Sequence, residues 1–203
     1  MKSTAEMGKI DDKTEEMRKT KAPWSISEDS ITFMCDFISK LDKPRVLEIG
    51  AYHGYSALNF SKAAKEVVTI EIDKEAFETA KKNLAIAKNV TCFLGDAINL
   101  IPTFGKFDVI FLDGAKKQYI NYLKKSIEAL NYSGVIFADN TISHKNELKE
   151  FFNHLKSSDM IWKELNLGRG LVMITRSKLT EILINNHLLK FTAGEKSGKT
   201  AGT

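Results

Sequence analysis

The sequence has little cysteine, little proline and no apolar run long enough to cross a bilayer: its 203 residues include two cysteines and three prolines. The isolated Cys35 and Cys92 form neither a metal-binding pair nor a disulfide framework, so we expect two buried, reduced thiols. The start of the chain also lacks the apolar core of a secretory signal peptide. Together these absences predict a cytoplasmic protein with no membrane partner.

The sequence also lacks a strong excess of charge of one sign. Its 30 basic and 26 acidic residues give a formal net charge of +4, and the two signs alternate along most of the chain. A dedicated polyanion-binding protein more often carries a clustered basic stripe. The charge pattern therefore neither demands nor excludes a nucleic-acid partner. The length and the 43% apolar content fit one globular domain with a sizeable core.

Short strand-like runs alternate with helical patterns through most of the chain. The runs are continuously apolar, which is typical of strands covered on both faces. The predicted strands are residues 45–49, 67–72, 90–94, 107–112, 134–138, 161–165 and 171–175. Helical apolar patterns between them occupy residues 56–64, 74–87, 97–101, 117–130 and 146–155. The alternation predicts an α/β fold of the Rossmann-like, doubly wound class, and the last two strands read as a closing hairpin.

The chain divides into an N-terminal arm, a central domain and a C-terminal tail, at residues 1–22, 23–176 and 177–203. The arm is polar, but Met7, Ile10 and Met17 are spaced as one face of an amphipathic helix that could pack on a partner subunit. The tail has one apolar patch, residues 182–189, followed by a flexible run. We expect the tail to be partly disordered.

The first predicted strand ends in a glycine turn, where ligands of open α/β sheets bind. Gly50 and Gly54 would let the backbone approach a ligand closely. Their spacing differs from the G-x-G-x-x-G of pyrophosphate binders, and Glu48 is negative where phosphates would need positive surroundings. A cationic ligand fits better, and S-adenosylmethionine carries a sulfonium and an ammonium group. The candidate cofactor-binding residues of this turn are Glu48, Gly50, Tyr52, Gly54 and Ser56.

The ends of the second and third predicted strands support the same cofactor. Glu71 lies 21 residues after Gly50 and can accept hydrogen bonds from both ribose hydroxyls, beside its neighbour Ile72. The Asp96 side chain and the following amide, that of Ala97, can bind the adenine edge. One acid at a strand end is usually only a helix cap. Joined at these spacings, however, the pieces favour an S-adenosylmethionine site.

Acids also end the fourth and fifth predicted strands. Asp113 and the pair Asp139-Asn140 offer two carboxylates and an amide oxygen, an all-oxygen set suited to Mg²⁺. A divalent cation there would activate a bound hydroxyl and fix it against the sulfonium methyl group, with Asp113 also next to the cofactor. Lys116, three residues after Asp113, can reach the same oxygen as a base or a charge partner. Asp113 and Lys116 are therefore the candidate catalytic residues.

These residues carry a family resemblance. The stretch LEIGAYHGYSA resembles the first motif of catechol O-methyltransferase. The pattern D-x-x-K-x-x-Y at residues 113–119, followed by A-D-N at 138–140, resembles the cation-dependent group that also holds the caffeoyl-CoA enzymes. The similarity spans residues 26–175 and implies a seven-stranded, mostly parallel sheet with an antiparallel last strand. It also implies a homodimer and these roles: metal ligands Asp113, Asp139 and Asn140, catalytic Lys116 and ribose-binding Glu71.

The sequence leaves the methyl acceptor open. The first hypothesis is an S-adenosylmethionine- and metal-dependent enzyme that methylates a metal-bound hydroxyl of a small phenolic or catechol-like molecule. The second keeps this chemistry but takes a hydroxylated uridine of tRNA, as some bacterial members of the group do. Lysines that could line an RNA path are Lys116, Lys117, Lys124, Lys125, Lys145 and Lys149. A non-catalytic binding protein and an NAD-dependent oxidoreductase are the remaining alternatives, and the glycine spacing disfavours the last.

Overall fold

The computed structural model describes residues 2–20 and 25–198, and the side chains of its last helix through residue 191. Strands and helices alternate through the described residues. The strands are β1 (Arg45–Ile49), β2 (Glu66–Glu71), β3 (Val90–Leu94), β4 (Phe107–Leu112), β5 (Leu130–Asp139), β6 (Ile161–Leu165) and β7 (Leu171–Thr175). The helices are α1 (Thr4–Thr20), α2 (Glu28–Ser39), α3 (Tyr55–Ser61), α4 (Lys74–Leu84), α5 (Ala97–Leu100), α6 (Tyr119–Ala129), α7 (Lys149–Lys156) and α8 (Lys178–Gly198).

The strands form one seven-stranded sheet in the order β3-β2-β1-β4-β5-β7-β6. The pairs among β1 to β5 are parallel, whereas β7 is antiparallel to both of its neighbours, β5 and β6. The predicted doubly wound α/β fold with an antiparallel last strand is confirmed. Strand order reverses between β1 and β4, and a crevice therefore opens at the carboxyl ends of these two strands.

Two apolar cores cover the two faces of the sheet. Successive residues of a strand point to opposite faces, so Val46 joins the core under α1 to α4 and α8, while Leu47 joins the core under α5 to α7. Both side chains are fully buried. The continuous apolar runs in the sequence thus reflect a sheet with helices on both faces.

The N-terminal arm folds as α1 and packs on α3 of the same chain. Ile10 and Met17 are buried in the core beneath these helices, and Met7 is half-buried. Lys62 at the end of α3 adds polar contacts, with its Nζ 2.9 Å from Thr14 Oγ1 and 3.0 Å from Asp11 Oδ1. The face that suggested a partner subunit is therefore largely buried within the protein's own fold. The predicted end of the arm, at residue 22, lies outside the described residues.

The segment after β7 forms the helix α8, which includes the apolar patch at residues 182–189. His187 anchors it: its Nε2 lies 3.0 Å from Phe33 O on α2, and Ile184 is fully buried in the adjacent core. The helix continues to Gly198, into the run that the sequence marks as flexible. Residues 199–203 lie outside the described residues, so the predicted disorder there stays a prediction.

Cys35 and Cys92 are free, as expected, and each is partly buried. Burial raises the pKa of each thiol to about 12, so both are unreactive near neutral pH. Among the described residues, no helix is both long and apolar enough to span a membrane.

Candidate functional site

A cavity of about 760 Å³ opens at the carboxyl ends of β1 and β4, where strand order reverses. Its walls include ten of the residues singled out in the sequence: Gly50, Tyr52, Ser56, Glu71, Ile72, Asp96, Ala97, Asp113, Lys116 and Asn140. Three further candidates, Glu48, Gly54 and Asp139, do not line it. The fold thus brings most of the predicted site together around one space.

The glycine turn after β1 is packed tightly against the end of β4. Gly50 has a φ of +98°, and a Cβ there would lie 2.6 Å from the backbone oxygen of Asp113. Only glycine fits both the left-handed conformation and the close approach. Tyr52, with a φ of +46°, also lies in the left-handed region, which is uncommon for a bulky residue and concentrates at functional sites. Both Gly50 and Tyr52 line the cavity.

Glu71 lies at the end of β2, buried beside this turn. Its Oε2 accepts a hydrogen bond from Tyr52 N at 2.7 Å, and its Oε1 accepts from Ile72 N at 2.8 Å and Asp73 N at 2.9 Å. Three amide donors hold the carboxylate in one orientation, and Oε2, which accepts only one of these bonds, retains acceptor capacity on its second lone pair. Glu71 can therefore accept a hydrogen bond from a ligand's hydroxyl group at Oε2.

Asp96 combines two roles at the end of β3. Its Oδ1 accepts a hydrogen bond from Ile98 N at 2.9 Å, which makes it the N-cap of α5. It also lines the cavity, together with the following residue, Ala97. The cap explains why an acid occurs here, and the same residue lines the cavity together with Glu71.

Glu48 takes a different place from the one predicted. It is fully buried, and its carboxyl group accepts hydrogen bonds from Ser56 Oγ and, at 2.5 Å, from Thr69 Oγ1. Burial raises the pKa of Glu48 to about 8. Direct contact with a cofactor is not what this geometry offers. Glu48 lies behind the wall and positions Ser56, which does line the cavity. Gly54 does not line the cavity either. A Cβ added at Gly54 would lie 2.9 Å from Cγ of Leu84, so this glycine packs against α4.

Asp113 and Asp139 form an acidic pair at the ends of β4 and β5. Burial raises the pKa of Asp113, although the Lys116 ammonium opposes the shift. Burial and the neighbouring charge of Asp113 raise the pKa of Asp139 to about 7. Asn140, with a φ of +63°, donates from Nδ2 to Asp139 Oδ2 at 2.8 Å. Within the described part of the chain, Asp139 Oδ1 is buried and lacks a hydrogen-bond partner.

This acidic pair fits a divalent cation. Two mutually repelling carboxylates, one with an unpartnered buried oxygen, are costly unless a positive charge joins them. Asn140 lines the cavity, and its side-chain nitrogen donates a hydrogen bond to Asp139. Its amide oxygen is the atom that could bind a cation. The described residues contain no cluster of three His, Cys, Asp or Glu side chains that could hold a metal. The candidate set is therefore two carboxylates and one amide.

Lys116 projects toward the acidic pair from the turn that precedes α6. Its Nζ lies 2.9 Å from Asp113 Oδ1 and 2.6 Å from the hydroxyl of Tyr119. The Lys116 side chain is only 12% exposed, and it lines the cavity beside Asn140. A fixed cationic or amine group next to the carboxylates can move a proton at an oxygen bound there.

The sequence missed several residues of the cavity wall. Met17 and Thr20 on α1 line it, as do His144 after β5 and Arg169 in the loop between β6 and β7. Arg169 was marked only as part of a glycine-flanked loop, although its positive charge opposes the burial that raises the pKa of Asp113 and Asp139. No local signal places α1 over the cavity, because its packing on α3 is a long-range contact.

The sequence profile of the O-methyltransferase family matches residues 3–178 of this chain. The chain belongs to the O-methyltransferase family. Among curated relatives, the caffeoyl-CoA O-methyltransferase of Zinnia elegans is 30% identical over 138 residues, which cover 60% of this chain and 56% of that protein. The catechol O-methyltransferase of Mycobacterium tuberculosis is 31% identical over 126 residues, 58% of this chain and 57% of that protein. The alignments thus span little more than half the length of these relatives.

Solved structures of methyltransferases share the fold. A methyltransferase of Podospora anserina, solved with SAH bound, superimposes with a TM-score of 0.73 at 24% identity, over 83% of this chain and 88% of that one. TomG of Streptomyces achromogenes, an O-methyltransferase solved with SAM, gives a TM-score of 0.69 at 20% identity, over 86% and 90% of the two chains. Family membership disfavours the NAD-dependent oxidoreductase that the glycine spacing had already made the weakest alternative.

Proposed function

We propose that this O-methyltransferase family member transfers a methyl group from S-adenosylmethionine to a hydroxyl group of a small, catechol-like acceptor, assisted by a divalent cation. The observation that carries the proposal is the pair of the partly buried Asp113, which lines the cavity next to the glycine turn and contacts Lys116, and the buried Asp139 behind it. Nothing in a simple structural role requires two repelling acids, one of them buried, at adjacent strand ends with a lysine beside them.

The donor half of the cavity suits S-adenosylmethionine. Glu71, held by three amides, would accept a hydrogen bond from a ribose hydroxyl at Oε2, and Asp96 would accept one from the adenine amino group. The acids also favour a donor that is positively charged. The Podospora and Streptomyces structures were solved with SAH and SAM, respectively. When bound, this donor supplies an electrophilic methyl group on a sulfonium.

The acceptor half is built from the ends of β4 and β5. Asp113, Asp139 and Asn140 would hold a divalent cation, most simply Mg²⁺, because all three offer oxygen. When bound, such a cation makes a nearby hydroxyl more acidic and stabilises the resulting negative charge. The unpartnered Asp139 Oδ1 is the specific feature of this chain that supports the assignment.

Lys116 would take the proton that the acceptor loses. In the transfer the hydroxyl O–H bond breaks and its proton passes to the lone pair of Lys116 Nζ in its neutral amine form, which becomes an ammonium, while the oxygen forms a bond to the methyl carbon. The bond between carbon and sulfur breaks with its electron pair left on sulfur, so a neutral thioether departs. Reactions of this kind depend on alignment, which the walls around Lys116 and Gly50 provide.

The acceptor preference follows from the cavity and the relatives. After a donor of the size of S-adenosylmethionine is placed, a cavity of about 760 Å³ leaves room for a compact molecule. The relatives named above are caffeoyl-CoA and catechol enzymes. Of the six lysines considered for an RNA path, only Lys116 lines the cavity. A small diol is therefore the first candidate for the methyl acceptor, and tRNA is the alternative acceptor that the assay below must distinguish from it.

A methyl-transfer assay tests the proposal. Donor labelled on its methyl group is incubated with the protein and either 3,4-dihydroxybenzoate or bulk tRNA that lacks hydroxyuridine methylation, with Mg²⁺ or with excess chelator. Label in the diol that disappears with chelator supports the proposal. Label found only in tRNA would show that tRNA, and not the small diol, is the methyl acceptor. Full activity in excess chelator would show that the transfer needs no divalent cation. No transfer to any acceptor, with donor affinity unchanged by chelation, would favour a non-catalytic protein. The expected homodimer and cytoplasmic location are separate predictions.

A further inference from the structure

The hydroxyl of Tyr119 occupies the gap between the two strand ends that carry the acidic pair. The side chain is fully buried, and its oxygen lies 2.9 Å from Leu112 O and 3.1 Å from Asp139 O. Both are carbonyl acceptors, so the phenol proton must point at the backbone between β4 and β5. On its remaining side the Tyr119 oxygen therefore acts as an acceptor.

Lys116 is the donor on that side. Its Nζ donates to Tyr119 Oη at 2.6 Å and to Asp113 Oδ1 at 2.9 Å, and it lies 4.7 Å from the centre of the Tyr119 ring. A lysine nitrogen is tetrahedral, with one bond to Cε and three further positions. The two hydrogen bonds occupy two of these positions. The third points away from both partners, and Lys116 lines the cavity.

Asp113 alone would not fix this direction. The lysine side chain is a flexible four-carbon stem, so a single partner leaves its nitrogen free to swing. Asp113 is also a proposed cation ligand, and a cation and a lysine would share its carboxylate. Tyr119 offers a neutral second anchor, set by the backbone of both strands and independent of any ligand.

We propose that Tyr119 is a positioning residue that aims the third position of the Lys116 nitrogen at the acceptor hydroxyl. The inference rests on the proposed function, because it requires Lys116 to act on the acceptor. It also explains why a fully buried tyrosine stands where a phenylalanine would fill the same volume. The hydroxyl links the strand ends to the lysine, whereas the ring packs against Phe151 with centroids 5.8 Å apart.

Tyr119→Phe tests the proposal, because it removes one oxygen and keeps the ring in the core. We expect kcat to fall about tenfold while KM for donor and acceptor changes by less than about twofold. The matched control is Tyr132→Phe, which removes the same atom from a ring that is 72% exposed on β5. Its kinetics should equal those of the wild type. A Tyr119→Phe enzyme with undiminished kcat would overturn the proposal.

A double-mutant cycle separates positioning from a structural effect. If Tyr119 acts through Lys116, adding Tyr119→Phe to Lys116→Met should change kcat by less than about twofold. A further tenfold loss in that background, or a parallel loss of SAH affinity by calorimetry, would mean that Tyr119 supports the fold of the site instead.

A crystal structure of Tyr119→Phe gives a readout that needs no turnover. We expect the Lys116 side chain to leave its single rotamer and spread over several. A Lys116 that stays in place would overturn the positioning role, even in an active enzyme. Conversely, if Lys116 is displaced in Tyr119→Phe but the wild-type protein methylates no acceptor, Tyr119 does position Lys116 and the proposed function is wrong. The two failures are thus distinguishable.

Discussion

Glu71 Oε2 accepts a hydrogen bond from the backbone N–H of Tyr52 at 2.7 Å, which ties the acid at the end of β2 to the glycine turn at the end of β1. Two further amides bind the other oxygen of the same carboxylate. The carboxylate is consequently oriented before any ligand arrives, and a ligand bound there meets a preorganised acceptor.

The first prediction follows from this arrangement. Glu71→Gln should weaken S-adenosylmethionine binding by about 10- to 100-fold, because hydrogen bonds to a charged acceptor contribute about 1.5–3 kcal/mol. Calorimetric titration with SAH measures the change. The control is Glu66→Gln at the opposite end of β2, where the acid pairs with Arg45 across 2.6 Å outside the cavity. Equal affinities of the wild type and Glu71→Gln would show that Glu71 has no ribose contact.

The second prediction concerns the acidic pair. Asp139→Asn should abolish the stabilisation by Mg²⁺, measured as the rise in thermal midpoint on titration with the ion, because a carboxylate ligand is lost. In the metal-free protein the same change should raise the thermal midpoint by a few degrees, because it relieves the repulsion from Asp113. This shift corresponds to a gain of roughly 1 kcal/mol in the free energy of unfolding. Asp159→Asn, on an exposed loop, is the control. A Mg²⁺ response that survives in Asp139→Asn would argue against the proposed ligand set.

The fold was predictable because its signals are local and repeated. The predicted limits of β1, β3, β4, β6 and β7 agree with the structure, since turn residues bound each apolar run. β5 begins four residues earlier than predicted, at Leu130. There the sequence Asn131-Tyr132-Ser133 looks like a loop, but pairing with β4 extends across it, with a register shift near Phe107. Tertiary pairing overrides local propensity at such a bulge.

The candidate site was predictable where the chemistry sits at strand ends. The topology alone gathers Glu71, Asp96, Asp113 and Asn140, because parallel strands bring their carboxyl ends to one edge. Glu48 was assigned direct contact with the cofactor because it precedes the turn by two residues. Since successive residues of a strand face opposite sides of the sheet, the Glu48 side chain points into the core between the sheet and α3, where it contacts Ser56 and Thr69.

The third prediction is a pH dependence set by Glu48. Its folded-state pKa of about 8 exceeds the ordinary value of 4.5, so the folded protein binds more protons than the unfolded chain between these two values. The stabilising contribution of the neutral acid is complete below pH 4.5 and is lost as pH rises through 8. The slope of unfolding free energy against pH is then negative, at most about 1.4 kcal/mol per unit from this one group.

Urea unfolding of wild type and Glu48→Gln between pH 5.5 and 9 measures this contribution. The wild type should lose stability relative to Glu48→Gln across the range, because the amide cannot ionise while it keeps an acceptor for Thr69 or Ser56. Identical pH profiles of the two proteins would mean that Glu48 titrates normally and is solvated in the native state.

The fourth prediction contrasts two glycines. Gly50→Ala should destabilise the protein by about 1–3 kcal/mol, because it forces a non-glycine residue into a left-handed conformation. It should also reduce SAH affinity, since the added Cβ would lie 2.6 Å from Asp113 O and must displace the turn or the end of β4. Gly8→Ala, within α1 and with nothing inside 4 Å of the added carbon, should instead stabilise by about 0.5–1 kcal/mol. Chemical denaturation and calorimetry measure both effects. If Gly50→Ala bound SAH as well as the wild type, the turn would not form the wall of the donor site.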